Sequence, residues 1–151
     1  MTTARTYSTR RYAIVESIVE LLKGINGSGQ FLTNIHGQVF SKMKFFDDVN
    51  DFPCICVVAS NEVREYQAGG YRDRFLDVRV MLYVKEDNPL AKCESLLEDI
   101  ETLIESNGRL SYYDKQGVAQ RTIDISVTSI STDEGTLDPI SIGEMALRVH
   151  Y

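Results

Sequence analysis

The sequence predicts an α+β fold: a mainly antiparallel sheet of about four to five strands, two helices packed on one face, and a long protruding β-hairpin. Two stretches, residues 10–23 and 89–106, place apolar side chains at helical spacing. Residues 76–84, 123–127 and 145–151 instead alternate at period two. The order helix, strands, hairpin, helix, two strands puts both helices on one side of an antiparallel sheet.

The first helix carries Ile14, Val15, Ile18, Val19 and Leu22 on one face, with Ser8 or Thr9 as its cap and Gly24 just past its end. Residues 38–46 read as an extended but polar-interrupted stretch, followed by a polar loop at 47–53. Pro53 excludes helix at Phe52, and the apolar run from Cys54 to Ala59 reads as a buried strand. Residues 62–67, a turn at Ala68-Gly69-Gly70, and a long strand ending near Lys85 form the hairpin. On that long strand Leu76, Val78, Val80, Leu82 and Val84 face inward, while Asp77, Arg79 and Lys85 mark a wet side. Asn88-Pro89 caps and opens the second helix, whose stripe is Leu90, Cys93, Leu96, Leu97, Ile100, Leu103 and Ile104. Glu98 and Asp99 fall outside or beside that stripe and read as solvated. A polar connection at 112–121 leads to a strand carrying Ile123, Ile125 and Val127. A loop at 131–139 follows, and the last strand carries Met145, Leu147, Val149 and Tyr151 on one face.

The chain has 151 residues, 43% hydrophobic and 25% charged, which suits one domain with its own core. All of it is assigned to that domain, with residues 1–9 as a flexible arm that holds Arg5 and precedes Arg10 and Arg11. A formal net charge of −6 argues against duplex binding, which needs a basic stripe. Cys54, Cys56 and Cys93 form no disulfide framework, and His36 and His150 have no zinc-like spacing. Buried free thiols in a reducing compartment are the reading. No apolar run reaches the roughly 20 residues of a membrane helix, so no membrane partner is expected.

Catalytic signatures are missing. The run from Gly24 to Gly29 lacks the Lys-Ser/Thr ending of a phosphate loop and follows a helix, so it reads as a turn. The carboxylate pairs Asp47-Asp48, Asp73/Asp77, Glu98-Asp99 and Asp133-Glu134 have no His or Cys partners and read as solvated. We therefore expect no enzyme, no cofactor and no metal site. The hairpin is different: Tyr66, Tyr71, Phe75 and Tyr83 interleave with Arg64, Arg72, Arg74 and Arg79. That mixture resembles a single-strand-binding platform, but Glu62, Glu65, Asp73 and Asp77 cancel its charge. Tyr and Arg also enrich protein interfaces, so the preferred reading is a docking arm. Its candidate contacts are Glu62, Arg64, Glu65, Tyr66, Tyr71, Arg72, Asp73 and Arg74, joined by Asp133 and Glu134 in the last loop.

The whole pattern resembles the tail terminator (tail completion) proteins of long-tailed bacteriophages. The features that carry the resemblance are the N-terminal amphipathic helix, the lead-in Asp51-Phe52-Pro53-Cys54-Ile55, the Gly69-Gly70 turn and the alternating strand at 75–84. The Pro89-started helix and the loop from Asp133-Glu134 to Pro139, ending in Val149-His150-Tyr151, complete it. The resemblance implies a virion protein that forms a hexameric ring, caps the tail tube, stops its growth and presents its other face to a head-completion or neck protein. DNA would be cargo passing through the lumen, a role an acidic surface suits. The alternatives are another neck or tail-tube component, or a small ligand-binding α+β domain unrelated to phage.

Overall fold

The computed structural model describes residues 9–151. In chain order the elements are α1 (Arg10–Leu22), β1 (Val39–Phe40), a single 3-10 turn (Phe46–Asp48), β2 (Cys54–Tyr66) and β3 (Arg72–Lys85). They continue with α2 (Pro89–Ser106), β4 (Ser111–Tyr113), β5 (Ala119–Arg121), β6 (Asp124–Thr132) and β7 (Ile140–His150). Five strands form one sheet in the order β1-β2-β3-β7-β6, and β4 and β5 form a separate two-stranded sheet. The larger sheet is mixed, because β1 runs parallel to β2.

The strand expected at 38–46 shrinks to Val39–Phe40. Conversely, the segments at 54–59 and 62–67 are one strand. Their pairing with β3 slips by one residue between Ala59/Val78 and Glu62/Leu76, a β-bulge. Before the bulge the odd residues Ile55 and Val57 join the core; after it the even residues Glu62, Arg64 and Tyr66 lie opposite Leu76, Arg74 and Arg72. A phase change in alternation reads, in sequence, as two strands.

Both helices pack on one face of the sheet. The core joins Ile14, Ile18 and Leu22 of α1 to Leu96, Ile100 and Ile104 of α2, over Ile55, Leu76, Val78, Val80, Leu82, Met145, Leu147 and Val149. Each such side chain stabilises the fold by about 1.5–3 kcal/mol through burial. Asn88 caps α2 as its sequence predicts, its side chain accepting from the Ala91 amide at 3.4 Å, with Pro89 in the first turn. Thr9 occupies the cap position of α1 without a side-chain hydrogen bond; Ser8 and most of the expected flexible arm lie outside the described residues.

Three local expectations are corrected. The second face of the sheet is not wet throughout: Val49, Cys54, Cys56 and Tyr83 form a second small core beneath Phe40, Phe52, Met81 and Ile142. Asp99 is buried at 1% exposure instead of solvated. Its carboxylate accepts from the Leu32 amide (2.9 Å), the Thr33 amide (2.8 Å) and the Thr33 hydroxyl (2.5 Å), tying the loop after α1 to α2. The connection at 112–121 is the β4–β5 hairpin, whose turn is organised by Asp114. Its Oδ1 accepts from the Gln116 and Val118 amides and its Oδ2 from Gln120. Hydrogen bonds from Val118, Gln120 and Gln116 hold the Asp114 carboxyl below its usual range. All three cysteines are free and buried.

Candidate assembly surfaces

β2 and β3 remain paired as far as Tyr66 and Arg72, and the Gln67 amide donates to the Tyr71 carbonyl at 2.7 Å to close the turn. Gly69 and Gly70 both have φ of 84°, a conformation that side chains resist, so this tight turn depends on them. From Ser60 onward β2 has left the core, and Val63 through Tyr66 are exposed.

Strand parity divides the candidate contacts between two faces. The face continuous with the helices carries Glu62, Arg64 and Tyr66 from β2, and Arg72 and Arg74 from β3. There Arg64 Nε pairs with Glu62 Oε2 at 2.6 Å, and the Arg72 guanidinium lies 5.4 Å from the centre of the Tyr66 ring. The Arg74 guanidinium lies 5.7 Å from the centre of the Tyr151 ring, and the Tyr151 hydroxyl donates to Glu62 Oε1. Burial pushes Glu62 upward, but the bonds from Tyr151 and Arg64, with Arg11 nearby, outweigh it and leave the carboxyl below its ordinary value.

The far face carries Glu65 opposite Asp73. Asp73 is partnered, its Oδ1 lying 3.0 Å from His150 Nε2, and the His150 ring stacks on Phe75 at 4.5 Å. Tyr71, in the turn, is 76% exposed. Further along this face Asp77 pairs with Arg148 (3.0 Å) and Glu144 with Arg79 (2.7 Å); such exposed pairs add little stability.

The structure does not bring Asp133 and Glu134 to the hairpin turn. They lie between β6 and β7, near the end of the sheet where Ile140 meets Lys85, whereas the turn extends from the end where Phe75 meets His150. The two residues also differ. The Asp133 carboxylate is turned inward, accepting from the Ser141 hydroxyl (2.7 Å) and the Ile142 and Leu137 amides (3.3 and 3.2 Å). Burial pushes its proton affinity up, but these bonds outweigh burial and hold the carboxyl below its usual range. Glu134 is exposed, with a φ of 58°.

Sequence reasoning missed the surroundings of Arg74. Arg10 and Arg11 are the first residues of α1, where the helical spacing from residue 10 puts them, and the Arg11 guanidinium donates to the Ser60 carbonyl at the bulge. Together with Lys115 from the β4–β5 turn and Tyr151 beyond β7, they line a cleft of about 320 Å3 that also includes Arg64 and Arg74. The usable signal was the parity of Tyr151, which shares the apolar face of β7; the pairing of β7 with β3 then sets it against the root of the hairpin. Among the described residues no group of three or more His, Cys, Asp or Glu side chains is placed to hold a metal, and no helix is long and apolar enough to cross a membrane.

The chain is 29% identical over 149 residues to the tail tube terminator protein p142 of Escherichia phage T5, a match that covers 93% of this chain and 92% of that one. A chain from the solved virion of a native gene transfer agent particle shares the fold, with a TM-score of 0.57 at 8% identity, over 91% of this chain and 93% of its own. The family model described as Bacteriophage Tail Tube Terminator Protein matches residues 8–151. The chain therefore belongs to the bacteriophage tail tube terminator protein family, and it is a structural, tail-capping protein of the virion.

Proposed function

We propose that this protein caps the tail tube as a closed ring of about six copies, built through heterologous contacts between unlike patches. One face of the ring seals the last tube ring, and the other receives a head-completion or neck protein at the head-proximal end. DNA passes through the lumen as cargo, and assembly takes place in the host cytoplasm before the particle is complete. The work is done by surfaces, without catalysis, cofactor or metal.

The observation that carries this reading is the β2–β3 hairpin, which extends past its own core and ends in exposed Tyr66, Tyr71 and Arg72. An exposed Tyr/Arg strand pair with no core of its own is suited to docking on a partner. Glu62, Arg64, Glu65, Asp73 and Arg74 form its root and flanks, and Glu134 offers a second patch.

Light scattering across a concentration series, with negative-stain images, tests the reading. Closed rings without filaments support it; long filaments make the chain a tube subunit instead. Replacing Arg72 and Arg74 with Ala lowers ring formation and lengthens tubes while leaving the melting temperature nearly unchanged. If these variants terminate tubes normally, the hairpin is not the docking arm.

A further inference from the structure

We propose that the cleft at the root of the hairpin is a carboxylate socket that receives the acidic end of a second copy of this chain. The inference rests on the ring reading above and assigns one of its contacts.

The cleft concentrates positive charge in an acidic protein. Arg10, Arg11, Arg64, Arg74 and Lys115 converge on it from α1, β2, β3 and the β4–β5 turn, over a chain with a net charge of −6. Two carboxylates stand behind this lining: Glu62, which Arg64 and Tyr151 already engage, and Asp114, which is held by its own turn and lies near enough to Arg10 to feel its charge. Among the described residues, Arg10, Arg11, Arg74 and Lys115 have no carboxylate within 4.0 Å. Guanidinium groups meet carboxylates with two parallel donors, so a carboxylate-bearing segment is the ligand this lining fits.

The matching surface lies at the other end of the same strands. Where β3 ends and β7 begins, Glu86, Asp87, Glu134 and Asp138 are all exposed, with Lys85 and Lys92 the cations nearest in sequence to the first two. The Glu86 amide donates to the Pro139 carbonyl at 3.1 Å, so the two acidic turns are held side by side. The cleft at one end of β3 is thus lined by basic groups, and the turns at the other end are acidic. A head-to-tail contact requires two different, complementary patches on one subunit, and these ends supply them.

Two block variants test this. Arg74→Glu with Lys115→Glu makes the socket acidic, and Glu86→Lys with Glu134→Lys makes the far end basic. Mass photometry and sedimentation at low salt read self-association, with circular dichroism confirming that each variant folds. We expect the wild type to associate and to weaken between about 0.05 and 0.5 M salt, and each variant alone to weaken at least about tenfold. An equimolar mixture should recover association, because every contact between unlike variants then pairs opposite charges. Unchanged association in both variants, or no recovery on mixing, overturns the assignment while leaving the ring intact. A wild type that stays monomeric at every concentration also overturns it, and tube-length measurements then judge capping separately. Binding of a single-stranded oligonucleotide that Arg74→Glu abolishes, with self-association unaffected, assigns the cleft to nucleic acid and rejects the proposal.

Discussion

The Tyr151 hydroxyl donates to the Glu62 carboxylate across 89 residues of sequence, so the far end of the last strand is fastened to the root of the hairpin. The Tyr151 amide also donates to the Arg74 carbonyl at 3.0 Å, which extends the sheet one residue past β7. Position 151 is therefore part of the structure that fixes where the hairpin points.

Replacing Tyr151 with Phe removes the donor and keeps the ring. We expect a loss of about 1 kcal/mol, or about 2–4 °C in melting temperature for a domain of this size. An unchanged melting curve would show that water replaces the phenol at no cost.

The same pair has two signatures in pH. Glu62 titrates below its ordinary 4.5 in the folded protein, so its contribution is complete above that value and fades as pH falls through the folded value. Tyr151 titrates above its ordinary 10, raised by burial and by the bond to Glu62, so its contribution is complete below 10 and fades as pH rises beyond it. Urea unfolding at stepped pH should show a shallower acid limb in Glu62→Gln and a shallower alkaline limb in Tyr151→Phe. Equal slopes in variant and wild type would mean that the two groups titrate alike folded and unfolded.

Asp99→Ala strands three donors at once: the Leu32 and Thr33 amides and the Thr33 hydroxyl. Bonds to a buried carboxylate are among the stronger ones, and we expect a loss of about 3 kcal/mol by urea denaturation. Hydrogen exchange should accelerate at Leu32 and Thr33 ahead of the sheet. Uniform acceleration everywhere would make Asp99 a general core residue and not a clamp on that loop.

A methyl group at Gly143 would stand 2.8 Å from Cys93 Sγ and 2.9 Å from Leu82 Cδ1. Gly143→Ala should cost about 1–3 kcal/mol by overpacking. Adding Cys93→Ala should recover part of that loss, giving a favourable coupling in a double-mutant cycle. Strict additivity would mean that the strand moves and the thiol does not.

How much of this was legible follows from how local each signal was. The helix stripes and the alternation from Leu76 to Val84 are set by local periodicity, and the structure buries every apolar residue named on that strand face. The β4–β5 hairpin was hidden because Asp114, the residue that organises its turn, resembles any loop aspartate in sequence. Asp99 was misplaced because its partners, Leu32 and Thr33, come from a loop 66 or 67 residues away. Of the hairpin residues, Tyr66, Tyr71 and Arg72 are exposed while Glu62, Asp73 and Arg74 are half-buried, and the cleft beside them draws on α1, β2, β3, the β4–β5 turn and Tyr151. Only the folded chain brings those together.

β2 and β3 serve the core along one half of their length and extend into solvent along the other, with a single bulge at the boundary. The exposed half is thus a cantilever rather than a tether. No glycine or proline interrupts β2 or β3 between tip and root, and the bulge is braced where Arg11 grips the Ser60 carbonyl and the Ser60 hydroxyl donates to the Asp77 carbonyl. A load applied at Tyr71 passes down the β2–β3 ladder and across its bulge into the layer beneath both helices. A subunit built in this way registers strain at its tip as stress in its core.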